Sequence, residues 1–216
     1  MMRLLRITGS LLTTAGIVVL LFTAYELWGT SLPAGNAQRR LDRQLQRQWA
    51  AAPAGPAAPA ASAGIRAGYG QPLAVLTIPR LGPSYRKVIL EGTGTTDLQK
   101  GPGHYPGTAM PGQVGDFAVA GHRTTYGAPF ADLDRLRPGD SIDVEVHDAT
   151  YVYSITSSEI VRPSDVGVVA PDPDHAGVAP TRRMLTFTTC HPKYSANKRL
   201  VVHAVLATVH RSTTGG

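Results

Sequence analysis

The segment Thr186–Arg199, TFTTCHPKYSANKR, decides how the rest of the chain is read, and it holds the only cysteine among 216 residues. Threonine and phenylalanine favour strands, so Met184 to Thr189 reads as a β-strand that delivers Cys190 to its end. His191, Pro192 and Lys193 then open a polar turn through Tyr194, Ser195, Ala196 and Asn197. A second strand begins at Lys198 and Arg199 and continues through Leu200, Val201 and Val202. Cys190 and Arg199 therefore stand at the facing mouths of two adjacent strands. A thiol there can attack a carbonyl, and a guanidinium, which never loses its charge, can hold the oxygen that becomes negative.

Outward from this hairpin, the chain from Leu73 onward reads as short strands with Gly/Pro-rich connections. They are LAVLTI at 73–78, KVIL at 87–90, DFAVAG at 116–121, SIDVEV at 141–146, YVYSITSSEIV at 151–161, RMLTFTT at 183–189 and RLVVHAVLAT at 199–208. Helical material is brief: single turns at 95–99 and 130–134 and a cap at 164–166. Seven strands and almost no helix predict an all-β sandwich or closed barrel, and the pattern does not choose between them.

A thiol needs a proton acceptor and its leaving group needs a proton, so the next question is which of seven histidines partners Cys190. His122 is the best placed. It follows the apolar strand Phe117 to Ala120 directly, in AVAGHRTTYGAPF, where Gly121 lets the backbone turn and present the imidazole at a strand mouth. His191 adjoins the cysteine, and strand neighbours point to opposite faces, so it reads as a turn residue. His203 shares the face of Arg199 but lies about 13 Å further along an extended strand. His104, in GPGHYPG, lies on a loop that can edge a groove, and Tyr105 beside it is a rigid aromatic on the same loop. His147, His175 and His210 read as solvated. Only one of Lys198 and Arg199 can face Cys190, and Thr189, just before the cysteine, is taken as supporting the site.

These residues resemble the sortases, cysteine transpeptidases of Gram-positive cell surfaces. Their strand-end signature T-L-x-T-C is matched by Thr186-Phe187-Thr188-Thr189-Cys190, with Phe187 at the usual leucine, and Arg199 stands nine residues on, where the family carries its arginine. The A-G-H segment ending at His122 matches the sortase histidine. With CHPKYSANKR added, the chain looks most like the class E sortases of high-GC actinobacteria. The resemblance covers roughly 73–209 and implies a closed eight-stranded β-barrel with short helices in its connections. It also implies Cys190 as nucleophile, His122 as general acid and then base, and Arg199 as oxyanion donor, with a thiolate–imidazolium pair populated in a minor fraction of molecules. The implied reaction cleaves an L-A-x-T-G type sorting signal between threonine and glycine through a thioacyl-enzyme. It joins the surface protein to an amine of the peptidoglycan precursor lipid II, with Thr189, Tyr105 and His104 expected to touch substrate. The alternatives are a sortase for L-P-x-T-G, a pilin polymerase, or a barrel that binds without catalysis. A pilin polymerase is expected to carry a D-P-W lid and a C-terminal span, and the sequence shows neither.

Ahead of the strands, Ile7 to Tyr25 carries no charge and has the length of a membrane-spanning helix, with Arg3 and Arg6 before it. It reads as a retained signal anchor, because the apolar run is long and 31–37 makes a poor cleavage site. Arg39, Arg40, Arg43 and Arg47 follow it, so the count of flanking positives opposes export. The resemblance places the catalytic domain outside a single-pass cell-membrane anchor. In QRRLDRQLQRQW, Leu41, Leu45 and Trp49 form one stripe of a helix that lies on the membrane or against the domain. The Ala/Pro-rich stretch 50–64 is a stiff linker. The expected organisation is an anchor at 1–30, a juxtamembrane helix and linker at 31–70, a catalytic domain at 71–210 and a disordered tail at 211–216.

Composition narrows the remaining classes. A hydrophobic content of 43% allows a real core, and one cysteine excludes an intrachain disulfide. The net charge of +6 has no nucleic-acid motif beside it and reads as a surface preference. Metal binding would want C-x-x-C or H-E-x-x-H, and a serine hydrolase G-x-S-x-G; these are missing, so no metal or cofactor is expected. Asp172 and Asp174 in PDPDH read as a solvated acidic turn.

Overall fold

The computed structural model describes residues 2–52, 67–175 and 177–211; most of the Ala/Pro-rich linker and the 212–216 tail lie outside them. Eight strands are formed among the described residues: β1 (Pro72–Thr77), β2 (Arg86–Glu91), β3 (Gly103–His104), β4 (Gly115–Ala120), β5 (Ser141–Glu145), β6 (Ala149–Val161), β7 (Arg183–His191) and β8 (Lys198–Arg211). They close a barrel in the order β1-β2-β3-β4-β7-β8-β6-β5, which settles sandwich against barrel. Closure leaves no free sheet edge to protect. Seven strands coincide with those read from the sequence. The eighth, β3, is two residues long inside GPGHYPG and pairs parallel to β2 and antiparallel to β4.

The alternation of side chains along β4 and β7 positions the site. Phe117 and Val119 on β4 and Leu185 and Phe187 on β7 enter the core with Phe130, Tyr153 and Val202. Asp116, Ala118 and Ala120, and likewise Thr186, Thr188 and Cys190, consequently face out of the barrel. The two strands run parallel and side by side, Ala118 against Thr186 and Ala120 against Thr188. On that outer face Asp116, Ala118, Thr186 and Thr188 are buried, and Asp116 lines a cavity.

Two long helices precede the barrel. Helix α1 (Met2–Ala24) contains a 19-residue stretch, Arg6–Ala24, of mean hydropathy 1.9 with none of its surface covered by protein. It is long and apolar enough to cross a membrane. A π-helical turn, Tyr25–Gly29, leads into α2 (Ser31–Ala51). Helix α2 packs on the barrel wall: Leu41 and Leu45 are buried against Val75, Val88 and Leu90, with Trp49 beside them. Each leucine contributes about 1.5–3 kcal/mol by its burial. Gln38 adds a polar clamp, donating to the carbonyls of Val88 (3.0 Å) and Lys100 (2.9 Å) and accepting from the Val88 N–H (2.7 Å). The helix begins seven residues earlier than its apolar stripe indicates, because Pro33 falls in the first turn, where it removes no helical hydrogen bond.

Candidate active site

Three adjacent strands bring the predicted residues together. Cys190 on β7 is directly opposite Arg199 on β8. On its other side, the β4–β7 pairing ends with Ala120 against Thr188, and the chain keeps that course: the Gly121 N–H donates to the Thr188 carbonyl at 3.1 Å, and Thr189 Oγ1 donates to the Gly121 carbonyl at 2.8 Å. His122 lies two residues past Ala120, so it follows the strand that flanks β7 on the side away from β8. The histidine thus stands just past the end of β4 on one side of β7, and the arginine pairs with the cysteine on the other. All three are part-exposed on the outer face.

Gly121 is required for a reason other than the turn foreseen for it. Its conformation is not left-handed; a Cβ there would stand 2.6 Å from the ring of Phe130, a fully buried core residue. The Phe130 N–H in turn donates to the His122 carbonyl at 3.0 Å. Gly121→Ala should therefore overpack the core by about 1–3 kcal/mol, a fall in melting temperature of roughly 3 to 12 °C, and lower turnover as well. Thermal unfolding at the wild-type temperature would show that the close approach is dispensable.

His122 is half-buried, and burial lowers its pKa from the ordinary imidazole value, so the neutral ring is the resting form at neutral pH. Its Nδ1 lies 3.4 Å from Thr125 Oγ1, and the Tyr126 ring packs against it with centroids 4.9 Å apart. Arg199 Nη1 donates to the carbonyls of Ala196 (2.9 Å) and Lys198 (3.0 Å), holding the fork at the mouth of the β7–β8 turn. Nε and Nη2 take no protein partner among the described residues.

A second arginine, Arg123, was not singled out from the sequence. It is 3% exposed, and its Nη1 donates to the Cys190 carbonyl (3.3 Å) and to His191 Nδ1 (3.0 Å), while Nη2 meets Asp134 at 3.0 Å. Because a guanidinium only donates, His191 Nδ1 accepts and the ring proton sits on Nε2. Arg123 ties the histidine loop to the backbone of the cysteine itself. An arginine next to a histidine ordinarily reads as solvent-exposed, and nothing in the local pattern says otherwise.

A family model described as the sortase domain matches residues 76–207. The chain belongs to the sortase family. It is 34% identical over 211 residues to sortase SrtE1 of Streptomyces coelicolor, an alignment covering 91% of this chain and 55% of that one. It is 32% identical to SrtE2 of the same organism, covering 91% and 79%. The solved sortase E of Streptomyces avermitilis superposes with a TM-score of 0.62 at 45% identity, over 69% of this chain and 97% of that one. The chain thus spans just over half the length of SrtE1, and among sortases it is most like class E.

Within this sortase domain, two residues expected at the substrate are placed elsewhere. His104 is fully buried: it lies on β3, with Nδ1 2.6 Å from Glu91 Oε2, Nε2 2.8 Å from Thr108 Oγ1 and its ring stacked on Phe117. It braces the barrel wall and edges no groove. Thr189 is 2% exposed and points into the barrel, because the residue beside Cys190 faces the other way; its hydroxyl tethers Gly121. The outward-facing threonine is Thr188, whose Oγ1 is 2.9 Å from the hydroxyl of Tyr105.

Beyond Tyr105 lies a cavity of about 470 Å³ between the Pro106–Ala109 loop and Val169, Pro171 and Pro180, with Asp116 among its lining residues. Thr186 Oγ1 donates to Asp116 Oδ1 at 2.9 Å and so accepts from His203 Nδ1, also at 2.9 Å. Burial, partly offset by the Thr186 bond, pushes the Asp116 carboxyl up to about 7. His203 is therefore held between Thr186 and Glu159 (3.2 Å), remote from Cys190.

Proposed function

We propose that this sortase cleaves an L-A-x-T-G type sorting signal between threonine and glycine and transfers the new carboxyl end to an amine of a lipid-linked peptidoglycan precursor. Cys190 Sγ attacks the threonine carbonyl, and Arg199 holds the oxygen as it becomes negative. Collapse breaks the Thr–Gly bond, His122 gives its proton to the leaving glycine amine, and a thioester remains. The incoming amine attacks that thioester, His122 takes its proton, and the C–S bond breaks to release Cys190 as thiolate beside the imidazolium. The acting form, thiolate beside imidazolium, is the less populated one, since burial disfavours a charged His122. The enzyme is a cell-membrane protein anchored by α1, with the barrel outside.

The observation that carries this reading is the grouping of His122, Cys190 and Arg199 on the outer face, with the Thr188–Tyr105 pair and then a cavity further back along β7. An extended peptide advances about 3.4 Å per residue. With its threonine at Cys190 and its chain parallel to β7, the alanine lies two residues back, level with Thr188 and the Tyr105 hydroxyl. The leucine comes next, at the entrance of the cavity walled by Val169, Pro171 and Pro180.

Tyr105 is thereby the candidate reader of the alanine. If its hydroxyl proton goes to Thr188, its oxygen is free to accept the alanine N–H, which a proline lacks. Tyr105→Phe should narrow the preference for L-A-x-T-G over L-P-x-T-G by a few-fold to about tenfold, the worth of one net hydrogen bond. Thr188→Val should do the same, since the hydroxyls act as a pair. Competition between the two peptides measures the ratio, and an unchanged ratio returns Tyr105 to packing. The overall reading is tested by incubating the protein with fluorogenic forms of both peptides, with and without an amine, and identifying products by mass. Absence of both hydrolysis and amine-linked product would overturn it.

A further inference from the structure

The loop that carries His122 is held from outside the barrel. Tyr126 (φ 53°), Gly127 (φ 73°) and Ala128 (φ 40°) are three successive left-handed residues, two of them with side chains. Such a run persists only where its surroundings fix it. One support comes from the start of α2. Thr30, 5% exposed, accepts the Tyr126 N–H at 3.1 Å on its Oγ1, whose own proton goes to the Glu26 carbonyl at 2.9 Å. Ala34, also buried, lies 3.6 Å from where a Cβ on Gly127 would stand. The tethered Tyr126 is the residue whose ring packs on His122, and its hydroxyl accepts from Gln99 Nε2 at 3.2 Å.

We infer that Thr30 is a positioning residue for His122, acting through Tyr126, and that α2 belongs to the catalytic unit. This rests on the reading of His122 as the acid–base group. Thr30 does not contact the substrate groove. Its hydrogen bond sets the backbone of Tyr126, the ring of Tyr126 sets one wall of the imidazole, and Gln38, Leu41 and Leu45 keep α2 in place to do so. Losing the tether should therefore slow the proton-transfer steps and leave peptide binding alone.

The test uses the full chain in detergent micelles and compares Thr30→Val with Thr30→Ser. Valine keeps the shape and removes the acceptor; serine restores it. Expected for valine is a kcat for the L-A-x-T-G peptide lower by about two- to tenfold with KM unchanged, and near wild-type kcat for serine. Wild-type kcat in Thr30→Val, a loss confined to KM, or equal losses in both variants would overturn the inference. Amide hydrogen exchange keeps it separate from the choice of substrate. The Tyr126 amide should exchange faster in Thr30→Val whether or not the peptide is turned over, and unchanged exchange overturns the tether. Faster exchange beside an inactive wild type upholds the tether and sinks the substrate reading alone.

Discussion

Cys190→Ala should abolish the proposed transpeptidation and leave the barrel at its wild-type melting temperature. The side chain sits part-exposed at the end of β7, so removing sulfur opens no core cavity. The group that structure does depend on at this position is the backbone carbonyl held by Arg123, and alanine keeps it. His122→Ala should lose at least about a hundredfold in turnover, the scale of general acid–base catalysis, because in the proposed mechanism the leaving amine and the incoming amine both use it. Product analysis by mass beside a thermal melt checks both variants. Near-wild-type turnover in either would remove that residue from the mechanism.

Arg199→Lys is the second large loss, although charge is conserved. Arg199 spends Nη1 on the carbonyls of Ala196 and Lys198, and the rest of its rigid fork remains for the substrate. An ammonium is a point donor without that division of labour: placed to hold the turn it is drawn from the oxyanion, and placed at the oxyanion it frees the turn. An oxyanion donor is worth roughly 2.7 to 4 kcal/mol, so kcat should fall about 100- to 1000-fold. Lys198 pairs with His191 and is exposed; Lys198→Ala should change little. Equal losses at 198 and 199 would mean that the wrong face of β8 had been read.

How much of this was legible beforehand varies with the length of the pattern. Seven strands show themselves by four or more residues of β-branched and apolar side chains, and strand parity separates Arg199 from Lys198 without coordinates. β3 could not be read, since two residues carry no period. His104 accordingly reads as a loop residue, whereas it is a wall residue hydrogen-bonded to Glu91. Thr189 was misplaced because a motif position was weighed above the same parity rule that sorts its neighbours. Arg123 was missed for a different reason: its burial follows from three partners on two separate segments, 134 and 190–191, contacts that no local window contains. The start of α2 was hidden by Pro33 and Gly35, ordinary breaker signals that a first helical turn tolerates.

The contact between Thr30 and Tyr126 also sets a height. Thr30 follows Ala24, the last residue of the apolar stretch, by six positions, which is about 9 Å of helical rise and about 20 Å at full extension. A headgroup layer is itself some 5 to 7 Å deep. Were α1 to span a bilayer, as proposed, the histidine loop would ride close to the headgroups, and the proposed thioester would form within that same shallow zone. An acceptor carried on a lipid would reach it by lateral diffusion alone. An amine fixed tens of ångströms out in finished wall would lie beyond that reach, so under the proposed function altitude would set the order of events: attachment to a precursor first and passage into the polymer afterwards.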